Sequence, residues 1–111
     1  MTNTSHALTR ITVDTTAMFP RFKPHDQLFV KRFFEPDYPF FQNADIVITT
    51  SDGRLQIGKF CHHDAHGITI TQLSHDKPVL IPQSRDPIPY RVTGIIPHKT
   101  AAISRSNDAA A

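Results

Sequence analysis

The apolar positions of this chain recur in short alternating runs and not in helical stripes. Ile11 to Val13, Gln27 to Val30, Asp45 to Thr49, Arg54 to Cys61, Gly67 to Leu73 and Tyr90 to Ile96 each predict a strand. Nine prolines are spread from Pro20 to Pro97, and no central stretch joins freedom from proline to an i, i+3, i+4 apolar pattern, so an all-helical fold is excluded. Ser51-Asp52-Gly53 supplies residues that tolerate positive φ between two of the runs, which makes Asp45 to Cys61 a hairpin. His62 to Gly67 reads as the next turn.

Between these runs the pattern is less regular. Thr15 to Pro20 predicts a short helical turn, kept short by Pro20 and Pro24. The aromatic cluster Phe33, Phe34, Tyr38, Phe40 and Phe41 is broken by Pro36 and Pro39, so it reads as cover for the sheet or an interface and not as one regular element. The small, polar tail from Ser104 to Ala111 predicts fraying.

With 111 residues the chain has room for one domain, and 39% hydrophobic against 20% charged residues is the balance of a folded protein. The reading assigns 1–10 to a flexible N-terminal segment, 11–100 to the domain and 101–111 to a flexible tail. The net charge is only +2 with no long basic block, so charge alone predicts no direct nucleic-acid binding. Apolar runs fall far short of the ~20 residues that span a bilayer. The single Cys61 excludes an internal disulfide, and with no signal-peptide pattern at the start the expected location is the cytoplasm.

The order of short motifs is similar to that of the C-terminal domain of LexA, UmuD and the phage CI-type repressors, the self-cleaving serine/lysine peptidases with a signal-peptidase-like fold. Val13 is followed by Thr15-Thr16-Ala17-Met18, where that family has Gly-Asp-Ser-Met, and Pro24-His25-Asp26 leads into Leu28-Phe29-Val30. Ala44-Asp45 opens the Ile46-Val47-Ile48 run, and Asp52-Gly53 precedes Leu55-Gln56-Ile57-Gly58-Lys59-Phe60, where the family has its apolar-x-apolar-Lys strand. Val79-Leu80-Ile81-Pro82-Gln83-Ser84 and Val92-Thr93-Gly94-Ile95-Ile96 match its last strands. The resemblance covers about Ile11 to His98 and implies a mostly β fold of twisted antiparallel sheets with short helical turns.

The same alignment removes the chemistry. A serine/lysine dyad needs a hydroxyl nucleophile and a neutral, desolvated amine. The resemblance puts Ala17 at the nucleophile's position and Gly58 at the base's, so the expectation is a pseudo-peptidase and no enzyme. A displaced dyad of Thr16 and Lys59 is the alternative. Strand alternation opposes it if Gly58 marks the active-site face, because Lys59 then points away. No Ala-Gly or Cys-Gly pair precedes Ala17 as a cleavage site, and the residues before Ile11 are too few for a helix-turn-helix. What the resemblance leaves is homodimerisation and contact with a helix-turn-helix repressor or other regulator in transcriptional control.

Two further signals compete with that reading. His62, His63 and His66, with Asp64, place possible metal ligands in five residues, but adjacent histidines in a turn seldom converge on one ion, so a solvated hairpin loop is the better reading and no cofactor is implied. Arg21, Lys23, Lys31 and Arg32 beside Phe33 and Phe34 could serve a nucleic-acid-binding β domain, against a plain reading as edge-strand cations. Asp14 and Asp26 would be acid/base candidates in another fold; under the resemblance Asp26 is a turn residue.

Overall fold

The computed structural model describes residues 8–75 and 77–98. Seven strands form one antiparallel sheet: β1 (Arg10–Thr12), β2 (Gln27–Arg32), β3 (Asp45–Thr49), β4 (Leu55–Asp64), β5 (Gly67–Thr71), β6 (Val79–Pro82) and β7 (Ile88–Ile96). Their spatial order is β1-β2-β7-β3-β4-β5-β6, so the last strand returns to the middle and pairs with both β2 and β3. The expected tail 101–111 lies outside the described residues. Of the segment 1–10, Leu8 packs against the core and Arg10 opens β1, so the fold begins earlier than position 11.

β3 explains why the sheet can occupy the centre. Ile46, Val47 and Ile48 are all fully buried, yet alternation sends Ile46 and Ile48 to one face and Val47 to the other. Val47 joins Ile11, Val13, Met18, Phe22, Leu28, Val30, Ile57 and Tyr90 in one cluster. Ile46 and Ile48 join Phe33, Phe60, Ile68, Ile70 and Ile81 in the other. Loops, not long helices, cover both: Met18 and Phe22 come from the β1–β2 connection, and Phe33, Tyr38 and Phe41 from the β2–β3 connection.

That second cover corrects the reading of the aromatic cluster. Glu35–Phe41 is one continuous 3₁₀ helix, with a proline at its start and Pro39 inside it. Proline removes a backbone donor but fits the short three-residue turn here, so the segment folds as a regular element after all. Tyr38 and Phe41 turn inward against Phe33, with ring centroids 5.4 Å and 4.8 Å away, while Phe40 stays exposed.

The predicted β3–β4 hairpin is present, with Gly53 at φ 82° in its turn. Four strand ends differ by two or more residues: β2 runs on to Arg32, β7 begins at Ile88, and the ends of β4 and β5 move for local reasons. β4 runs on to Asp64, because an unpaired residue at Cys61 restores the ladder as His62↔Thr69 and His63↔Ile68, leaving only Ala65 and His66 as the turn. β5 ends at Thr71, because Gln72 is diverted to donate its Nε2 to the Ile57 carbonyl at 2.9 Å. Val79–Pro82, a strand only under the family resemblance, is β6. Among the described residues no helix is long and apolar enough to cross a membrane.

Candidate functional site

The loop from Val13 to Asp26 closes on itself through Val13 N–H to the Asp26 carbonyl at 2.8 Å and His25 N–H to the Val13 carbonyl at 2.7 Å. Inside it, Phe19 N–H reaches the Thr16 carbonyl and Phe22 N–H the Met18 carbonyl, so the segment forms hydrogen-bonded turns around a cis Phe19–Pro20 peptide and not the expected helical turn. Burial of Met18 and Phe22 anchors these turns on the first cluster. Thr15 Oγ1 accepts the Ala17 N–H at 3.1 Å. The Ala17 carbonyl accepts Ser74 N–H at 2.9 Å, and Ser74 Oγ donates to the Thr16 carbonyl at 2.6 Å. Thr16 and Ala17 are therefore strapped to the turn after β5 by their backbone.

The two positions taken from β4 diverge. Lys59 lies opposite Asp45 in the ladder and so shares its face with Val47 and Ile57, the face that the Ala17 loop covers. Gly58 lies opposite Ile46 and points to the second cluster. A Cβ there would sit 2.7 Å from the Thr71 carbonyl oxygen and 2.8 Å from Ile70 Cδ1, so the site holds no room for a side chain. The expectation that Lys59 faces away from the Ala17 loop is thus corrected: it is Gly58 that does.

Lys59 is nonetheless poorly placed to act as a base. Its Nζ lies 3.8 Å from Asp45 Oδ1, and Asp45 Oδ2 accepts from Arg21 Nε at 2.7 Å and from its Nη2. A half-buried amine beside a carboxylate is in the opposite setting from the desolvated, charge-free pocket that a neutral lysine base needs. Asp45 Oδ1 is buried and has no hydrogen-bond partner, and the Lys59 ammonium 3.8 Å away compensates its charge. Arg21 leaves the basic group proposed with Lys23, Lys31 and Arg32 and joins this triad.

Asp26 is buried to 1% exposure. Its Oδ2 accepts Lys23 N–H at 2.9 Å and its Oδ1 accepts His98 N–H at 2.7 Å, tying the loop to the end of the last strand. Burial alone would raise its pKa, but the two backbone donors, with the charges of Lys23 and His98, outweigh burial and hold the carboxyl below its ordinary value. This is a structural anchor.

The three histidines separate. His63, opposite Ile68, turns to the face of the second cluster, its ring 5.0 Å from that of Tyr38. His62 and His66 flank Asp64 at 3.7 Å and 3.5 Å, and the His66 N–H hydrogen bond holds the Asp64 carboxyl below its usual value against a small opposing effect of burial. Among the described residues no group of three or more His, Cys, Asp and Glu side chains is placed to hold a metal ion. Beside His63 a depression of 360 Å³ opens between the 3₁₀ helix and β4, lined by Glu35, Tyr38, Gln42, Phe60 and Cys61 among others. A second of 430 Å³ shares Glu35 and His63.

No family model, no curated protein and no solved structure matches this chain. The residues and their geometry therefore carry the functional argument. Two features escaped the sequence reading. The Arg21–Asp45–Lys59 group spans three separate segments and has no local spacing signature. Arg91 sits directly opposite Lys31 on the neighbouring strand, a pairing that only the register reveals.

Proposed function

We propose that this chain is a catalytically silent domain of the LexA and phage-repressor type, acting in the cytoplasm in transcriptional regulation through homodimerisation and protein–protein contact. The observation that carries the reading is the state of the positions that the resemblance aligns with a dyad and of the one neighbour, Lys59, that faces the Ala17 loop. Ala17 offers a methyl group, Gly58 has no space for a side chain, and Lys59 is engaged by Asp45. The ordered motifs from Ile11 to His98 supply the family likeness, and the seven-stranded antiparallel sheet is compatible with it. Association is then what remains of the family's work, and a partner, not proteolysis, does the switching.

The test joins two measurements on the full chain. Prolonged incubation at alkaline pH, which favours a neutral amine, should leave the mass unchanged, and light scattering should give twice the chain mass. Self-cleavage that disappears in Lys59→Ala would establish the displaced dyad instead. A monomer at all concentrations would remove the dimerisation role.

A further inference from the structure

The outer face of β1, β2 and β7 gathers cations that are scattered in sequence. Arg10 lies opposite Phe29, Phe29 lies opposite Gly94, and Lys31 lies opposite Arg91. Alternation along β2 puts Phe29 and Lys31 on the same exposed face, while Leu28 and Val30 are buried beneath. Phe29 lies across its neighbour Gly94, where a Cβ would stand 3.5 Å from the ring's Cδ2, an ordinary contact distance. The ring covers the glycine and remains 40% exposed on its other side.

On this face the Arg91 guanidinium sits 5.3 Å from the ring of Phe41. Arg32, opposite Tyr90, belongs to the other face of the sheet, where its guanidinium sits 4.6 Å above the ring of Phe34. Among the described residues no carboxylate oxygen comes within 4.0 Å of a side-chain nitrogen of Arg10, Lys31, Arg32 or Arg91. Like charges directly opposite one another in a ladder destabilise it. Protection of a sheet edge does not account for Arg91, because β7 is paired on both sides.

We infer that this face binds single-stranded nucleic acid. Lys31 and Arg91, with Arg10 at the margin, meet phosphates, and the exposed face of Phe29 takes an unpaired base. An acidic peptide would answer the cations and leave the ring without a flat partner; an unpaired nucleotide strand answers both. A duplex keeps its bases stacked inside and offers the ring nothing. The inference is independent of the family reading. It also reverses what the small net charge predicts, because the cations converge only through strand pairing.

The experiment is fluorescence anisotropy of a fluorescein-labelled dT20 oligonucleotide titrated with the full chain at several salt concentrations. Binding is expected in the range of roughly 1–100 μM at physiological salt, weakening as salt rises. Lys31→Ala/Arg91→Ala should lower affinity about tenfold or more and flatten the log–log salt slope by about 1.4, the value for two lost phosphate contacts on a single strand. Phe29→Leu keeps Gly94 covered and should weaken binding about fivefold or more through lost stacking. Arg54→Ala, in the far β3–β4 turn, should change nothing. The inference falls if dT20 does not bind wild-type protein at low salt, or if the exposed single variant Lys31→Gln and the double variant both bind as wild type. It also falls if polyglutamate displaces the labelled strand as well as unlabelled dT20 does, which would assign the face to an acidic protein partner.

Discussion

Lys59 and Asp45 stand opposite one another in the β3–β4 ladder, and the carboxylate between Lys59 and Arg21 joins the sheet to the loop that carries Ala17. The Asp45 side chain is only 12% exposed, so its charge is held where water compensates it poorly. Its two cations are more exposed, which limits what each contributes.

Asp45→Asn should therefore destabilise the fold by about 1–2 kcal/mol, within the range for losing a charge-assisted hydrogen bond. Urea unfolding of wild type and variant measures it. Under the pseudo-peptidase reading the variant also stays uncleaved at alkaline pH, because releasing Lys59 supplies no nucleophile at Ala17.

Gly58→Ala tests the other half of that reading. The added methyl would meet the Thr71 carbonyl and the Ile70 side chain at distances no real Cβ keeps, so β4 and β5 must part locally. A loss of about 1–3 kcal/mol is expected from overpacking. Gly58→Lys should cost more, and combining it with Ala17→Ser should not yield cleavage, since position 58 faces the layer away from the Ala17 loop. Thermal unfolding together with mass analysis reads both. Cleavage by the combined variant would show that a side chain at position 58 reaches the Ala17 loop.

The strands were legible because their residues alternate and are bounded by strong turn formers, as in Ser51-Asp52-Gly53. The departures have physical causes. Histidine and aspartate have weak strand preference, so His62 to Asp64 read as a turn until the unpaired Cys61 let the ladder resume. Val79–Pro82 is too short and too near proline to stand out without its partner β5. That Ala17 and Gly58 carry no reactive side chain is plain from the sequence. The partners of Asp45 and the pairing of Lys31 with Arg91 are not, because they depend on which strands become neighbours.

Phe33→Ala should be the most damaging single truncation of the aromatic cover. Phe33 is buried, and its ring contacts those of Tyr38, Phe41 and Phe60 at centroid distances of 4.8–6.1 Å. Removing it leaves the 3₁₀ helix without its central anchor on the second cluster. A loss of about 3–5 kcal/mol is expected from denaturant unfolding. Phe40→Ala, at an exposed position of the same helix, should change stability by about 0.5 kcal/mol or less. Equal effects would mean that the helix does not cover the core.

Acid stability should depend on Asp26. Its folded pKa is depressed, so between that value and the unfolded carboxylate value of about 3.9 the unfolded chain binds more protons than the folded one. The stabilisation is fully present above the unfolded value and is lost as pH falls through the folded one. Asp52 and Asp64, also held low but exposed, act in the same direction. Asp26→Asn keeps the shape but weakens the acceptors for His98 and Lys23 N–H, so it should cost about 1–3 kcal/mol near neutrality. Below about pH 4 the gap between variant and wild type should narrow, because protonation removes the same charge from the wild type. Urea midpoints across the acid range measure it, and a constant gap at every pH would mean that Asp26 acts through shape alone.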